Sequence, residues 1–242
     1  MKALLITLLA GGFFLVGSLI AKFAKDKKGI IPFSLGMAFS VLLMLLAVDI
    51  LPEVNESLEG NNKIYMYIFI VIGIVLLKLI DMLVPHHDHE KEKKHHERHL
   101  EHIGLISSLA LIIHNIIEGM SIYSLSLADL KMGLIMAIGV GLHNIPFGVE
   151  ISASLEKANK NIALNIIILT LSTLLGAIIL MIFGEVNEIM LACIMSITIG
   201  MIIYLLLFEL LPELNVIKEK KYKRIGLITG FVLMIINIFI GG

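Results

Sequence analysis

Charge is what this chain has least of. Only 16% of its 242 residues are Asp, Glu, Lys or Arg, and they nearly cancel to a formal net charge of −1. Nucleic-acid binding draws on a basic excess that is missing here, so no nucleic-acid partner is expected. There is one cysteine, Cys193, inside an apolar run. It cannot form an intrachain disulfide, and no thiol joins the polar groups described below, which removes the ligand that favours Cu(I). The His-Glu-x-x-His helix motif of zinc hydrolases is also absent, and an intramembrane hydrolase needs an open zinc position with a general base beside it. What fills the chain is apolar: 58% of residues, with a mean hydropathy of +0.96, which places it among polytopic membrane proteins.

A bilayer core of about 30 Å needs roughly 20 apolar residues per crossing helix. Eight runs meet that requirement: 3–21, 32–51, 64–84, 103–127, 131–155, 162–183, 189–211 and 225–240. The predicted class is an all-α membrane protein of eight transmembrane helices forming a single domain over residues 1–242. The gap between the fourth and fifth runs is only Ala128, Asp129 and Leu130. In the first run the basic cluster follows the apolar stretch, the reverse of a signal peptide, so a retained span is expected.

Lys and Arg collect in the odd loops: Lys22, Lys25, Lys27 and Lys28; Lys91, Lys93, Lys94 and Arg98; Lys157 and Lys160; and Lys218, Lys220, Lys221, Lys223 and Arg224. The even loops carry Glu53, Glu56 and Glu59 with Lys63, then Asp129, then Glu185 and Glu188. The positive-inside rule predicts a multi-pass cell-membrane protein with cytoplasmic odd loops and both termini extracellular. Loop three, Pro85 to His102, holds seven of the nine histidines. If helical, His95, His99 and His102 share one face. Such a tract binds Zn²⁺ or Ni²⁺ weakly, or is a solvated linker.

Two stretches read as membrane helix until their centres. "LALIIHNIIEGMSIY" (Leu109–Tyr123) holds His114, Asn115 and Glu118; "GVGLHNIPFGVEIS" (Gly139–Ser152) holds His143, Asn144 and Glu150. Ionisable groups at membrane depth cost at least about 2.5–3.5 kcal/mol each on insertion scales, and they usually mark an ion pathway. A helix puts His114 and Glu118 on one face, and His143, Phe147 and Glu150 on another, with each asparagine beside its histidine. The short link makes spans four and five antiparallel neighbours, and Gly133, Ala137 and Gly141 let their backbones approach. Two imidazoles and a carboxylate can then converge near mid-membrane. That donor set suits Zn²⁺ and also Fe²⁺, Mn²⁺, Co²⁺ and Ni²⁺, with amide oxygens and the carbonyl of Leu142 that Pro146 frees as further donors. The competing expectation is interhelical hydrogen bonding alone.

A repeat lies outside this pair. Span two ends "VDILPEVN" (Val48–Asn55) and span seven ends "FELLPELN" (Phe208–Asn215), matching Asp49 to Glu209, Pro52 to Pro212, Glu53 to Glu213 and Asn55 to Asn215. Five crossings separate them, so the copies run in opposite directions. The pattern predicts an inverted repeat, spans one to three against six to eight, around central helices four and five.

At "HNIIEG" (His114–Gly119) and "HNIPFG" (His143–Gly148) the chain resembles the ZIP (Zrt-, Irt-like) family of divalent metal transporters, prokaryotic type. The resemblance extends to the eight-span plan, the His-rich third loop and the "LPE" ends. It implies that His114, Glu118 and His143 ligate at the family's first metal position, that Asn115 and Asn144 ligate at an adjacent second position, and that Asp49 and Glu209 are transport-pathway acids at entrance and exit. Three departures stand out. Ile117 replaces a Pro frequent in bacterial members, Phe147 replaces the Glu that bridges two metals, and Thr173 stands near where span six supplies another Glu. One metal, with Glu150 compensating, is therefore expected. The implied function is uptake of a divalent transition metal, most of all Zn²⁺, with Fe²⁺, Mn²⁺ or Cd²⁺ as other cargo, by alternating access. The chain would be no enzyme and need no cofactor beyond the transported ion; the lipid bilayer surrounds it, and a homodimer would fit the family. The alternative is a metal-binding sensor or a transport-impaired relative.

Overall fold

The computed structural model describes residues 1–26, 29–58, 60–83, 92–157, 161–184 and 187–241. Six of the charged loop residues named above (Lys27, Lys28, Glu59, Lys91, Lys160, Glu185) and His86, His87 and His89 lie outside them, as do the side chains of His95, His96 and His99. Eight helices are long and apolar enough to cross a membrane: Lys2–Phe23, Ile30–Ser57, Lys63–Met82, Leu100–Ala128, Leu130–Lys157, Ile162–Phe183, Glu188–Val216 and Lys220–Ile240. No strand occurs among the described residues. Each span overlaps its apolar run; spans two and seven continue past theirs, to Ser57 and Val216, and two further differences stand out. The helix of span four begins at Glu92, well before the apolar stretch, because nothing helix-breaking stands between them. Spans four and five are parted by Asp129 alone, whose carboxylate caps span five by accepting from the amides of Lys131 (2.7 Å) and Met132 (3.3 Å).

The spans sort into an inner and an outer set. In spans two, four, five and seven more than half of the most apolar window is buried, against 17% in spans three and eight. The outer helices turn Tyr67, Val71, Phe231 and Phe239 outward, an apolar surface that only lipid would solvate cheaply. Span five packs mainly on span one, span four on span six, span two on span eight, and span three on span seven.

These pairings are held by glycines at symmetry-related points. A Cβ on Gly17 would meet the carbonyl of Ile145 and lie 2.9 Å from the Cα of Gly148; one on Gly148 would meet the carbonyl of Phe14. In the other half, a Cβ on Gly176 would meet the carbonyl of Ile116, and one on Gly119 that of Thr173. Backbones touch here, and no larger residue fits without separating the helices. Gly119 and Gly148 are the glycines that close the two His-Asn stretches, so those motifs encode packing as well as chemistry. Likewise Gly73 meets Ile197, and Gly230 meets Met37.

Both "LPE" ends share one irregularity. Leu45–Ile50 and Leu205–Leu210 are single π-helical turns, in which Leu51 N–H bonds to Leu46 O and Leu211 N–H to Leu206 O. Pro52 and Pro212 follow, each lacking an N–H and crowding the carbonyl four residues back. Widening the preceding turn relieves that clash without ending the helix. The predicted repeat is thus present down to its backbone defect, and Asp49 and Glu209 sit in equivalent positions within it. Span five, by contrast, runs unbroken through Pro146.

Candidate metal site between spans four and five

Glu118 stands between two imidazoles. Its Oε1 is 3.0 Å from His114 Nε2, one turn earlier on its own helix, and 3.0 Å from His143 Nε2 across the interface. The rings are 6.1 Å apart and inclined at 37°. Despite these distances, His114 Nε2, His143 Nε2 and Glu118 Oε2 make no aligned hydrogen bond among the described residues. All three are buried atoms whose lone pairs or protons go unused, which is costly unless another partner enters. The three ligand atoms lie within 4.8 Å of one another. Ligands that each sit about 2.0–2.1 Å from one tetrahedral ion are roughly 3.3 Å apart, so the present spacing needs little adjustment to grip a cation.

The asparagines face the other way. Asn115 Nδ2 donates to Ser172 Oγ on span six (3.0 Å), and Asn144 Nδ2 donates to the carbonyl of Ala10 on span one (3.2 Å). Each amide therefore ties a ligand-bearing helix to its outer partner, while the Oδ1 atoms are buried without a partner among the described residues. Phe147 is packed edge-on against His143, ring centres 6.4 Å apart. Thr173 Oγ1 donates to the carbonyl of its own helix at Thr170. Glu150 is buried and accepts from Ser154 Oγ at 3.1 Å, and it is not one of the three converging ligands.

A cavity of about 220 Å³ leads to the triad, lined among others by Asp49, Glu53, His114, Glu118, His143 and Asn237. Asp49 and Glu53 are exposed at its mouth, whereas their repeat counterparts Glu209 and Glu213 are buried. The cavity opens on the side of loop two, beside Asp49 and Glu53. Glu53 and Asn237 were not singled out as site residues from the sequence. Glu53 was legible in principle, because it repeats as Glu213; Asn237 carries no pattern and becomes visible only through packing.

Comparison with known proteins points the same way. The family model described as ZIP Zinc transporter matches residues 86–238. A zinc transporter ZupT of Oceanobacillus iheyensis is 31% identical, the alignment covering 98% of this chain and 97% of that protein. Those of Clostridium perfringens (28%, covering 99% and 96%) and Chlorobium chlorochromatii (27%, covering 98% and 97%) are also similar from end to end. With two His-Asn motifs facing each other across an eight-span inverted repeat, and a family match over most of its length, the chain belongs to the ZIP family of zinc transporters.

Proposed function

We propose that this protein carries divalent transition-metal ions, zinc foremost, across the cell membrane through one mid-membrane position built from His114, Glu118 and His143. The observation that carries the reading is the meeting of two imidazole nitrogens and one carboxylate at the inner end of a cavity whose mouth is acidic. Asp49 and Glu53 concentrate cations at the mouth. The imidazoles and Glu118 then replace part of the ion's water shell, while Asn115 and Asn144 hold their helices against spans six and one. With Phe147 and Thr173 in place of carboxylates, the site supplies one formal negative charge, which suits one ion rather than two.

The Lys and Arg distribution favours an orientation with the open side and both termini outside. A divalent ion moving inward gains about 4.6 kcal/mol per 100 mV of inside-negative potential, so uptake is downhill. The inverted repeat supplies the alternating step: exchanging the conformations of the two halves would bury Asp49 and Glu53 and expose Glu209 and Glu213. Glu150, one turn beyond Phe147 on span five, is a further buried carboxylate on the loop-five side of the triad.

Zinc flux into proteoliposomes under a potassium-diffusion potential tests this. Zn²⁺ should accumulate with the wild-type protein and not with His143→Ala or Glu118→Gln. Tight binding without flux in the wild type would instead favour a sensor, the reading that Phe147 and Thr173 leave standing.

A further inference from the structure

The seam between spans four and five continues past the triad. Glu118, His114, Leu111, Ser107 and Gly104 recur at intervals of four and three along span four, and form one face of that helix. His143, Phe147, Glu150 and Ser154 do the same along span five. Two contacts fix how the faces meet. His143 Nε2 lies 3.0 Å from Glu118 Oε1 at one end, and at the other a Cβ on Gly104 would lie 3.3 Å from the Cβ of Ser154. The helices are antiparallel, so Leu111 stands level with Phe147, and Ser107 level with Glu150. Leu111 and Phe147 are each 1% exposed and belong to one apolar cluster, which closes the seam directly behind the triad. Beyond that plug the seam turns polar again: Glu150, Ser154 and Ser107 are all buried.

A carboxylate at this depth is costly without a countercharge. Glu150 accepts a hydrogen bond from Ser154 Oγ at 3.1 Å and forms no ion pair among the described residues. Ser107 Oγ is buried with no hydrogen-bond partner among them. Oxygens from both helices, one of them charged, are thus gathered at one level of the seam with no cationic side chain to balance them. We infer, on the basis of the transport reading, that Glu150, Ser107 and Ser154 form a second, all-oxygen station for the transported cation, on the loop-five side of the Phe147–Leu111 plug. The triad offers two nitrogens and suits a borderline ion such as Zn²⁺, whereas carboxylate and hydroxyl oxygens suit harder ions such as Mn²⁺ and hold Zn²⁺ loosely. The station therefore receives an ion that leaves the triad and passes it on, and movement of the plug separates the two steps. The competing arrangement is structural, with Glu150 serving only as the acceptor for Ser154.

Zinc flux into proteoliposomes, measured over a range of Zn²⁺ concentrations, separates these. Glu150→Gln keeps an acceptor for Ser154 and removes the charge. It should lower the maximal rate at least about 10-fold, no less than the loss of an outer-shell partner commonly costs. The Co²⁺ d–d absorption that His143→Ala removes should keep its affinity in Glu150→Gln, which also shows that variant to be folded with its triad intact. Glu150→Asp should recover most of the rate, because it restores the charge. If Glu150→Gln does not fold, Ser107→Ala gives the reading: it removes an oxygen that bonds nothing, and should still lower the maximal rate. A Glu150 that only accepts from Ser154 predicts wild-type rates in both Glu150→Gln and Ser107→Ala. That result, with His143→Ala inactive, would overturn the station and leave the triad standing. Flux that persists in His143→Ala would instead overturn the triad, and the station with it.

Discussion

Glu118 is the residue on which the mid-membrane site turns, because one oxygen of its carboxylate faces both imidazoles. Its burial costs at least about 2.5–3.5 kcal/mol, and two neutral rings return little of that without a cation between them. Changing an outer-shell partner of a bound metal costs about 10–100-fold in affinity, and losing a ligand outright should cost more. Glu118→Gln and His143→Ala are therefore each expected to weaken Zn²⁺ binding by more than about 100-fold while leaving the protein monodisperse, as isothermal titration of purified material would show. Phe147 yields a prediction in the other direction. Its ring occupies the face of span five next to His143, so Phe147→Glu places a second carboxylate against the site. Elemental analysis should then find one additional Zn²⁺ per chain, and an unchanged count would mean that the single-ion character has another origin.

At the scale of elements, helix contacts matter more than helix propensity. Spans one and five touch at Gly17 and Gly148, and spans four and six at Gly119 and Gly176, with carbonyls where side chains would be. Gly148→Val forces the pair apart and is expected to destabilise the protein by about 1–3 kcal/mol, the ordinary cost of overpacking. A lowered thermal midpoint in detergent, accompanied by weaker Zn²⁺ binding as His143 shifts, would be the signature. Gly12, beside which a Cβ would meet nothing, is the matched control: Gly12→Ala should leave both unchanged.

Much of this architecture was legible in the sequence, and the reasons are physical. Lipid demands uninterrupted apolar stretches, so the eight spans stand out by length alone. The repeated "LPE" ends exposed the inverted relation, and the spacing of His114, Glu118 and His143 put them on facing surfaces. Other parts were not legible. Which way the amides of Asn115 and Asn144 turn depends on whether Ser172 and the Ala10 carbonyl stand opposite, and that is set by long-range packing.

For the whole molecule, the asymmetry between repeats is the informative feature. Equivalent acids are exposed in one half and buried in the other, as expected of one member of a pair of interchanging states. With Cys193→Ser as background, Glu53→Cys should react with a membrane-impermeant thiol reagent applied outside cells, and Glu213→Cys should not. The reverse pattern would invert the proposed topology. The whole proposal, however, depends on an ion resting between spans four and five. Anomalous diffraction at the zinc edge from crystals soaked in Zn²⁺ would look for it directly. A peak is expected about 2.0–2.2 Å from His114 Nε2, His143 Nε2 and a Glu118 oxygen. Density for both rings with no anomalous peak between them, under conditions where zinc is carried into liposomes, would contradict it.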